Sequence, residues 1–473
     1  MINFHIPTEL IQLFSSSEAT NYRIIPFEMQ ENNILRCYGD ENTDYEKTMR
    51  EITIIYDLNV EINPVGTQEL DKALNFYYRQ DRTFSSNAQS LNIGDPDFVG
   101  KLIEEAGTLK SSDIHFEPYE KKCRVRFRID GKLIERYIIN KIDYPALVNR
   151  LKILSNLDIS EKRLPQDGRI LFERNSLKFD MRVSVMPTIY GEKIVLRLLS
   201  KDQSLLSLSR LGFSERQYAD YYKAIMQPNG LILISGPTGS GKSTTLYATL
   251  GMLNRQDNNI LTIEDPVEYT LPGINQMQLK EGIGLTFGNA LRTFLRQDPD
   301  IIMLGEIRDQ DTAQMAIRSS LTGHLLLSTI HTNSAWGSIT RLIDMGVHPY
   351  LISETLIACV AQRLIRLLCP HCKKTFHPDA SFTGRFSLNP NTRYYEKTGC
   401  EECYYTGYWG RKAIYEVILI DKHLSQLIRK NETDIGEYFQ RYDIKTLKDS
   451  AIEMFGKGET SLEEILPIIS EAI

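Results

Sequence analysis

Gly236-Pro-Thr-Gly-Ser-Gly-Lys242-Ser243 matches G-x-x-x-x-G-K-[ST] at every fixed position. The glycines let the backbone curl until successive N–H groups point inward, and a helix leaving the loop adds the partial positive charge of its N-terminus. That geometry needs a strand running in and a helix running out, which commits the surrounding fold to an α/β unit. The flanks comply. Leu231-Ile-Leu-Ile-Ser235 is a short apolar run of the kind buried in a sheet, and Thr244 to Leu253 has the character of a helix. Gly236, Pro237, Thr238, Gly239, Ser240, Gly241, Lys242, Ser243 and Thr244 are the expected nucleotide contacts. Lys242 is expected to reach the β- and γ-phosphates, and the Ser243 hydroxyl to hold Mg²⁺. The loop implies a bound nucleoside triphosphate.

A chain of 473 residues has room for two to four domains, each with its own core. Its 42% hydrophobic and 25% charged residues are those of an ordinary soluble globular protein. A net charge of −6 argues against a nucleic-acid groove as the main business. No apolar run approaches the roughly 18–20 residues needed to span a bilayer. The start, Met1-Ile-Asn-Phe-His-Ile-Pro, lacks the basic region and apolar core of a signal peptide, so the cytoplasm is the expected compartment.

Residues 1–82 read as a small α/β domain, with strands at Arg23–Phe27 and Asn33–Tyr38 and helices at Asn42–Ile55 and Gln68–Tyr78. A polar stretch from Arg82 to Ser90 is the expected linker. Residues 93–203 read as a second domain rich in alternating strands, such as Arg124–Asp130 and Lys178–Val185. A serine-rich joint, Asp202–Ser209, leads into a nucleotide domain over 210–360, where apolar strands alternate with helices as in a parallel sheet. Cysteine pairs mark a module over 361–415. The tail, 416–473, reads as a helical subdomain, with Thr460-Ser-Leu-Glu463 as a capping box.

Three further strand ends follow the phosphate loop: Ile260-Leu-Thr-Ile-Glu264-Asp265-Pro-Val-Glu268, Asp300-Ile-Ile-Met-Leu-Gly-Glu306 and His324-Leu-Leu-Leu-Ser-Thr-Ile-His331. Parallel strands deliver such ends to the sheet edge where the loop also lies. Glu306 is the expected water-activating base, Glu264 a second catalytic carboxylate, and His331 a sensor of the γ-phosphate. Gly305 stands where a Walker B strand usually carries aspartate. Magnesium is therefore expected to lean on Ser243 and the phosphates, with Glu264 or Asp265 reached through water.

Cys369-Pro-His-Cys372 and Cys400-Glu-Glu-Cys403 repeat C-x2-C with 27 residues between the pairs. Two close pairs supply four thiolates for a tetrahedral structural Zn²⁺, and leave no open position for catalysis.

Taken together, these stretches resemble the four boxes of the type II secretion and type IV pilus ATPases: Thr238-Gly-Ser-Gly-Lys-Ser-Thr, Ile263-Glu-Asp-Pro-Val-Glu, Leu295 through Asp309, and Thr322-Gly-His to Ile330-His-Thr-Asn. Upstream, Ser112-Asp-Ile-His-Phe-Glu-Pro118, Leu164-Pro-Gln-Asp-Gly-Arg169 and Tyr190 through Leu199 are similar to that family's second N-terminal domain. The resemblance is strong over 93–473 and looser over 1–82. It implies a RecA-like ATPase domain preceded by a PAS-like domain, working as a homo-hexameric motor that hydrolyses ATP. It also implies a role for Arg182 and Arg197 on the preceding domain and for Arg292 and Arg296 ahead of the Walker B strand. An arginine that reaches the γ-phosphate offsets charge developing in the transition state, an effect of about 10³–10⁵ in rate. Family members of this kind assemble pilin-like subunits for secretion or pilus extension at the inner membrane. There residues 1–82 would dock on a membrane-anchored adaptor, and the motor would engage a polytopic platform protein. The tetracysteine module accompanies the assembly branch rather than retraction motors.

Competing readings come from different classes. Asn140-Lys-Ile-Asp143 spells the guanine-reading N-K-x-D, but it precedes the phosphate loop and no D-x-x-G follows it. A RecA-like nucleic-acid translocase would use Arg363, Arg366, Lys373 and Lys374 as a basic patch, yet aromatic residues are not interleaved there. A non-hydrolysing nucleotide-binding scaffold would show a broken catalytic box, and every box here is intact.

Overall fold

The computed structural model describes residues 6–11, 13–14, 16–30, 33–78, 97–120, 122–174, 177–200, 207–378, 384, 388, 392–432 and 434–470. The linker expected at 82–90 and residues 202–206 of the serine-rich joint lie outside the described residues. The chain divides into two compact units, residues 1–200 with 399–407 and residues 201–398 with 408–473.

The first unit begins with a three-stranded sheet of β1 (Ile24–Gln30), β2 (Ile34–Asp40) and β3 (Asn59–Val65). β1 and β2 are antiparallel, while β2 and β3 are parallel and need a crossover, which the helix Glu46–Tyr56 supplies. Phe14, Ile24, Leu35, Ile52 and Leu70 close a core of their own beneath it. Six antiparallel strands follow in the order β6-β5-β4-β9-β8-β7: β4 (Asp113–Pro118), β5 (Lys122–Ile129), β6 (Lys132–Asn140), β7 (Gln166–Arg174), β8 (Leu177–Thr188) and β9 (Gly191–Ser200). Alternation along β5 and β8 gives this sheet two unlike faces. Ile114, Phe116, Val125, Phe127, Val183 and Leu196 pack with the helices Phe98–Thr108 and Tyr144–Leu154, and the opposite face is charged. The α/β and α+β expectations for these segments match the elements observed.

The second unit is built on a seven-stranded sheet, β12-β11-β13-β14-β10-β15-β18. Its strands are β10 (Gly230–Ser235), β11 (Ile260–Glu264), β12 (Asn275–Gln278), β13 (Ile301–Leu304), β14 (Leu325–Ile330), β15 (Leu356–Leu368) and β18 (Tyr408–Leu419), the last being antiparallel to β15. All the other pairings are parallel. β10 buries Leu231 and Leu233 on one face and Ile232 and Ile234 on the other, so both faces carry core. This is why the strand reads as an unbroken apolar run rather than an alternating one. Each such side chain contributes about 1.5–3 kcal/mol on burial. Between β15 and β18 the chain forms a two-stranded ribbon, β16 (Lys374–Phe376) and β17 (Tyr394–Glu396).

Two details depart from the sequence reading. The boundaries at 360/361 and 415/416 fall inside β15 and β18, and Glu416–Leu419 is strand rather than helix, because Val417 and Ile418 pair with Val360 and Cys359. Helices begin only at Lys422–Arg429. The capping box at 460–463 is also replaced. Thr460 is fully buried and donates to the Arg366 carbonyl at 2.8 Å, while Glu463 pairs with Lys397 at 2.5 Å. Among the described residues no helix is long and apolar enough to cross a membrane.

Candidate active site

The carboxyl ends of β10, β11, β13 and β14 reach one edge of the sheet. Register fixes this: Ser235 lies opposite Ile330, Leu304 opposite Ser328 and Ile263 opposite Leu304. The phosphate loop therefore shares its edge with Glu264, Glu306 and His331. His324 is at the other end of β14, where its Nδ1 lies 2.9 Å from the Ser319 carbonyl and its own carbonyl accepts from Gly230. It belongs to a helix terminus and not to this edge.

The loop has the backbone its glycines were needed for. Gly236, Gly239 and Gly241 have φ of 147°, 80° and 90°. A Cβ on Gly236 would meet the Gln362 carbonyl at 2.5 Å, so β15 itself walls the loop. Pro237, Thr238 and Gly239 are exposed, Ser240 is buried, and Ser243 and Thr244 are exposed on the first turn of the helix Lys242–Leu253. The exposed hydroxyl of Ser243 suits Mg²⁺, and the helix N-terminus suits phosphate. Lys242 turns back on the loop, donating to the carbonyls of Gly236 at 2.7 Å and Pro237 at 3.0 Å. Burial lowers its pKa to about 8, with the Glu306 carboxylate opposing the shift and the Arg363 guanidinium adding to it.

Glu306 is held by its neighbours on both sides. The Gly305 N–H donates to the Ile263 carbonyl, the Ile307 N–H to the Thr329 carbonyl, and the Thr329 hydroxyl to the Gly305 carbonyl at 2.7 Å. The Glu306 carboxylate faces His331 Nε2 at 3.4 Å and pairs with Arg308, which also lies 3.7 Å from Asp265. A Cβ on Gly305 would sit 3.3 Å from the Ile263 carbonyl oxygen and 3.4 Å from the Glu264 Cα. That crowding is a physical reason for glycine where aspartate is usual.

Glu264 is buried. Its Oε1 accepts from Thr262 at 2.6 Å and from Gln276 at 3.0 Å, and its other oxygen accepts from the Tyr247 hydroxyl. Arg292 and Arg296 are exposed, Arg292 on the helix Phe287–Phe294 with its guanidinium bonded to Asn289 at 3.0 Å, and Arg296 just beyond it. In the first unit, Arg182 lies directly across from Arg197 on β9 and from Arg169 on β7. Arg197 donates to Asp113 at 3.0 Å and Arg169 pairs with Asp180. Three guanidinium groups abreast repel one another unless anions answer them.

Gln362 and Arg363 were not picked out from the sequence as loop partners. Both are buried: Gln362 accepts from Thr245 at 2.8 Å, and Arg363 donates to Asn333 at 3.1 Å. Their signal was two polar residues inside the apolar run of β15. The same burial removes Arg363 from any surface basic patch, and Arg366 is likewise engaged by Glu464.

The sulfurs of Cys369, Cys372, Cys400 and Cys403 all lie within 4.8 Å of one another. Those of Cys400 and Cys403 are 3.8 Å apart, about the edge of a tetrahedron with 2.3 Å metal–sulfur bonds. The backbone N–H groups of Cys400 and Gly407 each point at Cys403 Sγ from 3.2 Å, the donors a thiolate would use. The donor set fits zinc.

Residues 95–467 match the family model described as type II/IV secretion system protein. The type II secretion system protein E of Aeromonas hydrophila is 38% identical across 96% of this chain and 95% of its own. The type IV pilus assembly ATPase PilB of Myxococcus xanthus is 46% identical across 78% of this chain and 66% of its own. Among solved structures, the Legionella pneumophila ATPase DotB superposes with a TM-score of 0.60 at 21% identity, covering 82% of this chain and 98% of that one. With an intact phosphate loop and this kinship, the chain belongs to the type II/IV secretion system protein family and is an ATPase.

Proposed function

We propose that this ATPase is a homo-hexameric motor that drives assembly of pilin-like subunits at the inner membrane, for type II secretion or type IV pilus extension. The observation that carries the reading is the convergence of Lys242, Ser243, Glu306 and His331 on one sheet edge. The relatives' names supply the two systems.

In this reading the loop amides and Lys242 bind the phosphates, and Ser243 holds Mg²⁺, which neutralises charge on the phosphoryl oxygens when bound. Glu306 accepts the proton of the attacking water, with His331 steadying the carboxylate. Asp265, exposed beside Arg308, is the acidic group best placed for a water-bridged contact to the ion. Arg182, Arg197, Arg292 and Arg296 supply positive charge to the γ-phosphate within or across subunits. Zn²⁺ on the four cysteines is structural. Residues 1–82 dock on a membrane-anchored adaptor, and the motor engages a polytopic platform protein from the cytoplasmic side.

The test is complementation in a strain lacking the gene. Wild type is expected to restore secretion or piliation, and Glu306→Gln to accumulate normally yet restore neither. A Glu306→Gln chain that restores function would overturn the motor reading. Stimulation of turnover by single- or double-stranded DNA would favour a translocase, against which the burial of Arg363 and the Arg366–Glu464 pair already argue.

A further inference from the structure

We propose that Tyr247 is a positioning residue for hydrolysis, fixing the phosphate-loop helix to the acidic strand end through Glu264. Tyr247 stands four residues beyond Ser243 on the same helix and is 1% exposed. Its hydroxyl donates to Glu264 and accepts the Glu268 N–H at 3.2 Å. Its ring packs edge-on against Tyr269, with centroids 4.4 Å apart and planes at 83°. A single side chain thus ties the loop helix to both ends of the 264–268 segment.

That segment is a stiff block. Gln276 donates to Glu264 at 3.0 Å and to the Tyr269 carbonyl at 3.2 Å, and its oxygen accepts from the Leu271 N–H at 2.6 Å. Glu264 is the hub of this network rather than a face turned to nucleotide: it is 4% exposed, and both oxygens have protein donors. The next residue, Asp265, is exposed and lies 3.7 Å from Arg308, which pairs with Glu306. Tyr247 therefore sets where the Asp265–Arg308–Glu306 chain sits relative to Lys242 and Ser243. A misplacement of about 1 Å in such a site can cost on the order of 10²-fold in rate. Removing the hydroxyl leaves a buried carboxylate one donor short, which invites that shift.

The proposal rests on the catalytic roles proposed above for Lys242, Ser243 and Glu306. Tyr247→Phe is expected to lower kcat about ten- to a hundredfold while KM for ATP stays within about twofold, because the loop amides and Lys242 are untouched. Combining it with Glu264→Gln should cost no more than the worse single change, since both break one contact. An unchanged kcat, a raised KM at unchanged kcat, or fully multiplicative effects would overturn the proposal. If Tyr247→Phe does not fold, Thr262→Val removes another donor to the same carboxylate; a several-fold lower kcat at constant KM supports the role and an unchanged kcat overturns it. Glu306→Gln measured alongside separates the two claims: wild-type turnover in that variant would refute the proposed role of Glu306 itself, whatever Tyr247→Phe shows.

Discussion

His331 Nε2 lies 3.4 Å from the Glu306 carboxylate, joining the ends of two neighbouring parallel strands above the phosphate loop. The imidazole is half exposed and the carboxylate mostly buried, so the histidine is the partner able to respond to a ligand. Glu306→Gln is expected to reduce turnover by 10²-fold or more with ATP affinity retained. His331→Ala should reduce it about tenfold, since it removes an orienting contact and leaves the base. Steady-state kinetics with a fluorescent nucleotide binding assay check both; equal losses from the two variants would contradict this ranking.

Lys242 gives a pH dependence with a definite sign. Its pKa in the nucleotide-free chain is about 8, lowered chiefly by burial, and bound phosphate favours the charged form. ATP affinity should be flat below pH 8 and weaken above it, by up to about tenfold per unit, because the neutral amine must gain a proton on binding. Calorimetry in buffers of different ionisation enthalpy should show proton uptake near pH 8.5 and little at pH 6.5. Uptake that is the same at both values would contradict the assignment.

Gly305 makes a counterintuitive case. Restoring the usual aspartate with Gly305→Asp should lower turnover rather than improve it, because a Cβ there sits 3.3 Å from the Ile263 carbonyl oxygen and 3.4 Å from the Glu264 Cα. Overpacking of this kind costs about 1–3 kcal/mol, and Gly305→Ala should show the milder end in a melting experiment. A Gly305→Asp enzyme at wild-type rate and stability would contradict the crowding argument.

The four cysteines should bring one zinc per chain, measurable by atomic emission after exhaustive dialysis. Cys400→Ser should lose that zinc and lower the melting temperature, with the loss centred on the 369–407 segment, since a structural site contributes folding energy directly. Retention of a full zinc equivalent by Cys400→Ser would contradict a tetracysteine site.

Much of this was legible because local rules decide it. The phosphate loop, the apolar run of β10 and the C-x2-C pairs are short-range patterns with a single good physical solution. Residues whose meaning depends on distant partners were not legible. Glu264 read as a catalytic carboxylate because parallel strands deliver their ends to the edge where the loop lies; only the fold brings Tyr247 and Gln276 onto it. Arg363 entered only as part of the basic patch a translocase would need, and β15 places it in the interior beside Asn333. Thr460 fitted a capping box, in which its hydroxyl would accept a backbone N–H, but burial against β15 has the hydroxyl donate to the Arg366 carbonyl. β18 begins beyond the cysteine segment and returns to the sheet edge, a long-range pairing that no local window contains.

The most direct test of the central claim is ATP turnover per chain against protein concentration, with light scattering on the same samples and Glu306→Gln as control. Turnover per chain is expected to rise as hexamers form, while Glu306→Gln binds ATP and stalls. Turnover that stays constant from monomer to hexamer, or a wild type that binds ATP and never hydrolyses it in any assembly state, would contradict a ring motor.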